Sequence, residues 1–338
     1  MKLKFKHIAL AAALVATGAA QAAIDTGSTS GDGSLLLNLK WKDTLTTDAN
    51  GNTSASAAFD LGITMNDAVA WNGISGFKST WNLSSGLMQT WSGNTMMSST
   101  TIGSYGTAFN TFLNTTDMVL GNAEMNVFAL DNAKADGTLA SEPGDSRLLS
   151  TTSGINATGT GLSLASIPTN NNYNQIFGNT TVVNFLSALN NSAGHNTASN
   201  GASNADASSG FAWFDNGSGM DKFANLSGFD STNKFAGTYA AGTGVLSGQA
   251  KALPFYMLVA SSNDPFAKAS MTPFGVDLDG DGLIKFSNAN GQNEFGLWTL
   301  QGDTLSYINP VPEAETYAMM LAGLGLMGTI IRRRRKSA

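Results

Sequence analysis

The chain has 338 residues, of which 42% are hydrophobic and only 12% are charged, about half the usual charged fraction. It has no cysteine, which excludes a disulfide framework, a thiol nucleophile and a thiolate metal site. Its formal net charge is −6, and without its two ends, which hold eight basic residues together with Glu313 and Glu315, the remaining body would carry about −12. Such an acidic surface repels phosphate backbones, so we expect no nucleic-acid partner.

The first 22 residues have the three parts of a secretory signal peptide. A basic start (Lys2, Lys4 and Lys6) is followed by the apolar run from Ile8 to Ala16. The A-x-A cleavage triplet comes next, with Ala20 and Ala22 before the first mature residue, Ala23. We therefore predict a signal peptide over residues 1–22, removed by a signal peptidase.

Residues 23–309 form a body in which apolar residues mostly alternate with polar ones, a pattern typical of half-buried strands. Polarity comes from Ser, Thr, Asn and 38 Gly, which favour turns over helices. The predicted strands are Gly33 to Trp41, Ala57 to Met65, Glu124 to Leu130, Arg147 to Thr152 and Leu253 to Ala260. A terminal hairpin, Glu294 to Leu300 and Leu305 to Ile308, is predicted around Gly302 and Asp303.

Two further segments differ from this pattern. Apolar residues recur at helical spacing from Thr181 to Asn190, which predicts a short helix. Residues 190–210 contain almost nothing apolar and are predicted to form a flexible loop or linker, so the body is either one domain or two. The predicted fold class is mainly β: an antiparallel β-sandwich-like body with one or two short helices.

The residues needed for common catalytic sites are scarce. Once the signal peptide is removed, the one remaining histidine is His195, inside the polar loop, which argues against a His-based triad or a multi-His zinc site. We therefore expect a protein that is not an enzyme and needs no obligatory cofactor. A hydrolase that uses two Asp or Glu residues stays open as a less favoured alternative.

Trp71, Trp81 and Trp91 recur every ten residues through a stretch rich in Ser, Asn and Gly. If they were exposed together on one face, they could stack on sugar rings, so they are candidate glycan-binding residues. Tryptophan at strand spacing is more often part of the core, and that alternative remains open here.

Asp277, Asp279 and Asp281 precede Gly282 in the sequence Asp-Leu-Asp-Gly-Asp-Gly. Carboxylates at positions 1, 3 and 5 with glycine at 6 resemble the first half of a calcium loop, although position 12 is Asn288 rather than glutamate. We therefore predict weak calcium binding at these three aspartates. The alternative is a β-hairpin whose tip joins Val276 and Leu278 to Ile284 and Phe286.

The C-terminus has three parts in a fixed order. Pro312, Glu313 and Ala314 precede an apolar stretch from Tyr317 to Ile331, and a basic cluster follows, comprising Arg332, Arg333, Arg334, Arg335 and Lys336. Fifteen helical residues span roughly 22 Å, less than the ~30 Å hydrocarbon core of a bilayer. We predict a marginal, transient inner-membrane anchor whose basic cluster stays cytoplasmic.

This tripartite tail, residues 310–338, resembles the PEP-CTERM sorting signal of exported proteins of Gram-negative bacteria. The resemblance covers about the last 28 residues and implies recognition and C-terminal processing by an exosortase. It also implies a place at the cell surface or in an exopolysaccharide or biofilm matrix. We therefore expect an exported structural or adhesive protein, with polysaccharide as a partner, and as an alternative a carbohydrate-binding module.

Overall fold

In the computed structural model, the described residues are 24–25, 27, 31–42, 54–102, 109–110, 123–131, 147–151, 170, 203–206, 237–238, 252–262, 264 and 266–312. The predicted signal peptide, the helix predicted over 181–190 and the predicted C-terminal transmembrane segment lie outside these residues. Within them, no helix has both the length and the apolar character needed to cross a membrane.

The described part of the chain forms one antiparallel sheet of 13 strands. In chain order the strands are β1 (Ser34–Lys42), β2 (Ser54–Thr64), β3 (Phe77–Asn82), β4 (Leu87–Ser92), β5 (Thr95–Thr101), β6 (Ala123–Asp131), β7 (Arg147–Thr151), β8 (Ser203–Asp206), β9 (Gly237–Thr238), β10 (Ala252–Val259), β11 (Ser270–Pro273), β12 (Leu297–Gln301) and β13 (Thr304–Ile308). A short helix, α1 (Met65–Val69), follows β2.

The sheet is continuous, with the order β5-β4-β3-β13-β12-β10-β7-β6-β1-β2-β8, while β11 pairs with β10 and β9 with β6. The prediction of a mainly β, antiparallel body with a short helix is therefore confirmed, but the strands form one continuous sheet rather than the two sheets of a sandwich. The reason lies in β10, which pairs with β12 through Ala252–Pro254 and with β7 through Phe255–Val259. One strand thus joins two halves that a sandwich would keep separate, and the result is a strongly curved sheet, a half-barrel.

One face of this sheet encloses a single hydrophobic core that draws on both halves. Leu37 of β1 and Phe59 of β2 belong to it, together with Trp81 of β3 and Trp298 of β12. The indole Nε1 of Trp81 donates a hydrogen bond of 2.9 Å to the carbonyl oxygen of Leu61 in β2. Because β3 and β2 lie far apart in strand order, this bond joins the two halves directly across the core.

The opposite face differs between the halves. In β1, β6, β7 and β10 it is also buried: Leu36, Phe128, Leu148 and Tyr256 each expose 2% or less. In β3, β4, β5, β12 and β13 it is exposed or half-buried and mostly polar. The strands β1, β6, β7 and β10 are therefore buried on both faces, whereas β3, β4, β5, β12 and β13 present an open sheet face to solvent.

The strands with strong apolar alternation are confirmed: β1, β2, β6, β7, β10 and the β12–β13 hairpin lie where the sequence predicts them, with ends shifted by up to three residues. Strands β3, β4 and β5, which are rich in Ser and Thr, are not among the predicted ones. Inside the loop predicted over 190–210, the structure places β8, paired with β2.

Helix α1 turns the chain from β2 towards the core. Thr64 caps it through a reciprocal pair of hydrogen bonds, in which Asp67 N donates to Thr64 Oγ1 at 3.4 Å and Thr64 N donates to Asp67 Oδ2 at 3.1 Å. Met65 and Ala68 are buried, and Trp71 follows directly into the core.

The contribution of the Trp81–Leu61 hydrogen bond to stability can be measured by comparison with a second buried tryptophan, Trp298. Trp81 and Trp298 are both fully buried and stacked, with ring centroids 5.4 Å apart. The Nε1 of Trp298, however, has no hydrogen-bond partner among the described residues. We expect Trp81→Phe to lower the free energy of unfolding by about 1–3 kcal/mol more than Trp298→Phe, because only the former removes a buried hydrogen bond. Urea unfolding of both variants measures this difference, and equal losses would contradict the proposed link.

Candidate functional site

The candidate glycan-binding tryptophans do not share a face. Trp71 exposes 4% and Trp81 exposes 0% of its surface, and both pack in the aromatic core. The centroid of the Trp71 ring lies 5.0 Å from that of Phe77 and 6.1 Å from that of Trp81. The condition for glycan stacking, exposure together on one face, is therefore not met by Trp71 and Trp81, which lie in the core.

Trp91, by contrast, is partly exposed on the outer face of β4. Lys78 of the neighbouring strand β3 places its Nζ 4.9 Å from the centroid of the Trp91 ring. A cation over an aromatic face at this distance is attracted by the ring quadrupole and limits the motion of both side chains. Trp91 is thus the one member of the predicted trio that a ligand can reach.

The three aspartates of the predicted calcium loop do come together. One carboxylate oxygen from each of Asp277, Asp279 and Asp281 lies within 4.8 Å of the others, and no other such acidic or histidine cluster occurs among the described residues. The loop is held by backbone donors: Gly280 N and Gly282 N donate to the two carboxylate oxygens of Asp277 at 2.7 and 2.8 Å. Both glycines have positive φ, which side chains rarely adopt.

The hairpin alternative for this loop is not what the structure shows. Neither flank is a strand, and the backbone instead folds around Glu294, which is fully buried. Its carboxylate accepts hydrogen bonds from the backbone N of Leu278 at 2.9 Å, of Asp279 at 3.3 Å and of Lys285 at 3.0 Å. A buried carboxyl group is tolerated when its oxygens accept hydrogen bonds in this way, so Glu294 fixes the shape of the loop.

Two other residues complete the loop. Asn288, at its twelfth position, is buried, and its Nδ2 donates to Glu294 Oε1 at 2.9 Å. Lys285 contacts Asp281, and its Nζ lies 3.8 Å from Asp279 Oδ2. The hydrogen bond with Lys285 lowers the pKa of Asp281. An ammonium group thus neutralises part of the acidic cluster. This role was not predicted, and the position of Lys285 four residues after Asp281 is the sequence signal that could have indicated it.

A second pair of carboxylates lies where β2 meets the start of the body. Asp60 exposes 3% of its surface, and its Oδ1 accepts a hydrogen bond of 2.9 Å from Gly62 N. Burial, with a smaller contribution from the negative charge of Asp25, raises the pKa of Asp60 from 3.8 to about 7. The backbone of Asp25 is fixed by Ser34, whose N donates to Asp25 O at 2.9 Å. Because Asp60 is enclosed, its carboxyl is out of reach of a polymeric substrate.

Hydrogen bonds hold the last residues of the body in place just before the tail. Asn309 is buried, and its Nδ2 donates to Trp71 O at 2.7 Å and to Ile74 O at 3.0 Å. Its Oδ1 accepts from Tyr307 Oη at 2.7 Å. Gly76 N donates to Pro310 O at 3.1 Å. Of the residues predicted to form the sorting motif, only Pro312 is among the described residues. Glu313, Ala314 and the four arginines lie outside them. The predicted cleavage residues of the signal peptide, Ala20, Ala22 and Ala23, also lie outside them.

The comparisons with known proteins bear on this tail. The family model of the PEP-CTERM protein-sorting motif matches residues 310–336. No curated protein and no solved structure matches the chain significantly. The motif marks an exported protein that an exosortase sorts to the cell envelope or surface.

The raised pKa of Asp60 predicts a pH-dependent stability. Asp60 is protonated in both states below its unfolded pKa, and as the pH rises only the unfolded state ionises. Stability is therefore lost between about pH 4 and the folded pKa of about 7. The loss attributable to Asp60 is on the order of 4 kcal/mol.

Chemical denaturation at pH 4 and pH 8 measures this effect. We expect Asp60→Asn to remove most of the decline. Asp25→Asn is the matched control: it keeps the buried carboxyl but removes its charged neighbour, so it lowers the folded pKa of Asp60 and makes the decline smaller without abolishing it. An unchanged pH dependence in Asp60→Asn would show that other groups cause it.

Proposed function

We propose that this exported, exosortase-sorted protein is a non-enzymatic structural or adhesive component of the cell surface or of an exopolysaccharide matrix. The sorting motif over residues 310–336 carries the proposal. It is supported by a packed β body whose scarce charges are placed in structural roles, such as the enclosed Asp60 and Glu294. A mature body of about −12 charges also repels anionic lipid, which favours partners other than membranes and nucleic acid.

The junction between body and tail supports processing without loss of the fold. The last side chain that is buried in the body is Asn309, three residues before Pro312. Cleavage close to Pro312 therefore leaves the hydrogen bonds of Asn309 and the β12–β13 hairpin intact. The body is then free to act outside the cell after the tail has served for sorting.

Intact-mass measurement tests the sorting step. In a host with the exosortase, we expect an extracellular form that lacks residues 1–22 and the tail beyond about Pro312. A Pro312→Ala/Glu313→Ala variant should keep the Arg cluster, because it alters the motif. Asp264→Ala is the matched control, since it removes an exposed carboxylate outside the motif at residues 310–336. Retention of the Arg cluster both with and without the exosortase would make the tail a permanent anchor instead.

Calcium binding is a separate, second proposal for the acidic loop. It rests on the three carboxylate oxygens that lie within 4.8 Å of one another. A divalent cation there would take the place of the Lys285 ammonium, and Asn288 would contribute little because its side chain is engaged with Glu294. Weak binding is therefore expected, in the millimolar range of extracellular modules.

Thermal melting tests this second proposal. Calcium at ten times its dissociation constant stabilises a folded protein by about 1.4 kcal/mol, which raises the Tm by a few degrees. We expect this rise in the wild type and its loss in Asp279→Ala/Asp281→Ala. Asp264→Ala, which removes an exposed carboxylate elsewhere, is the matched control. Identical melting of the wild type with and without millimolar calcium would show that the loop is purely structural.

A further inference from the structure

We propose that the outer face of β5, β4, β3, β13 and β12 is a binding surface for an uncharged polysaccharide, with Trp91 as its central contact. This inference rests on the proposed role at the cell surface or matrix and names the site and the ligand class. Of the three candidate tryptophans, the partly exposed Trp91 is the one that lies on this face.

The strand register places the side chains of this face in rows that run across the strands. One row is largely apolar and consists of Met96, Trp91, Lys78, Ile308 and Leu297, in the strand order just given. Met96 and Ile308 expose 51% and 43% of their surfaces. This row combines an aromatic ring with neighbouring aliphatic groups, as the weakly polar faces of sugar rings require.

The next row carries hydroxyl and amide groups. It consists of Ser99, Gln89, Thr80, Ser306 and Thr299. Gln89 Nε2 lies 3.3 Å from Ser99 Oγ and 4.0 Å from Met96 Sδ, so the two rows are in contact. Hydroxyl and amide groups both donate and accept hydrogen bonds, which matches the hydroxyl groups of a sugar.

The charge of this face distinguishes it from the rest of the protein. In these two described rows no side chain is a carboxylate, and Lys78 is the one charged group, already engaged with the Trp91 ring. The mature body around the face carries about −12 charges. The acidic body would repel a polyanion, and the face offers only one cation to offset that repulsion. An uncharged polymer is not repelled. Electrostatics therefore favours a neutral polysaccharide.

The dimensions of the face suit an extended chain. Five strands at about 4.8 Å spacing span about 19 Å, and the two rows are about 7 Å apart. The face is also supported from behind: Trp81, Trp298 and Tyr307, on the opposite side of the same strands, are fully buried. A rigid face with a ring held by Lys78 loses little conformational freedom on binding.

The experiment uses the full chain after export and processing in the exosortase-containing host, verified by intact mass. Migration is measured in native gels cast with hydroxyethyl cellulose, galactomannan, dextran, the neutral polysaccharide fraction of the producing strain, or alginate as the anionic comparison. We expect retardation by at least one neutral polymer, unchanged at high salt. Trp91→Ala should weaken the affinity for that polymer at least about tenfold, because it removes the central aromatic contact. Trp91→Phe should weaken the affinity much less.

The matched control is Phe266→Ala, which removes an aromatic side chain that is 84% exposed outside this face. It should bind like the wild type. Absence of retardation by every neutral polymer would overturn the proposal, as would equal losses in Trp91→Ala and Phe266→Ala, or binding to alginate alone that salt abolishes. A dimer in solution that Trp91→Ala dissociates, without polysaccharide binding, would assign the face to a second copy instead. Each of these failures leaves export and processing, established by the mass, unaffected.

Discussion

The packing of aromatic rings on the inner face determines how the sheet bends and what it can present outside. The ring of Trp298 lies 5.2 Å from Tyr307, 5.4 Å from Trp81 and 5.6 Å from Phe255, measured between centroids. These rings come from β12, β13, β3 and β10, so they bridge the point where the two halves of the sheet join. Because rings are large and rigid, they fill the curve of a half-barrel with few side chains.

Charge is distributed in a way that follows from this core. With charged residues at 12% of the chain, few carboxylates exist to be placed, and several of them have structural roles. Glu294 shapes the acidic loop, Asp60 is enclosed beside β1, and Asp131 pairs with Arg147, whose Nη2 also donates to Asn66 Oδ1 at 3.0 Å. The open face of β3, β4, β5, β12 and β13 carries no carboxylate in its two described rows, so its contact with water depends mainly on the hydroxyl and amide groups beside its apolar row.

The sequence predicts the strands whose two faces differ in polarity, and it fails where that difference is small. In β1, Leu35, Leu37 and Leu39 alternate and identify a strand, whereas β5 reads Thr-Met-Met-Ser-Ser-Thr-Thr and carries no such period. The single-sheet connectivity could not be predicted, because the division of β10 between two partners depends on pairings that are distant in sequence. The clustering of the three aspartates could be predicted because their spacing in the sequence is local. Glu294 lies 13 residues beyond Asp281, so its hydrogen bonds to the loop have no local signal in the sequence.

The tryptophan spacing shows the same limit at a single site. Residues ten apart share a face within one straight strand, because side chains alternate with a period of two. Trp81 and Trp91, however, lie on opposite sides of the β3–β4 turn, where Trp81 pairs with Met88 and Lys78 pairs with Trp91. The pairing therefore sets the face, and it directs Trp81 into the core and Trp91 to solvent. The same antiparallel pairing places Trp81 in the core and gives Trp91 the neighbour Lys78. The turn between β3 and β4 therefore determines which of the two tryptophans is accessible to a ligand.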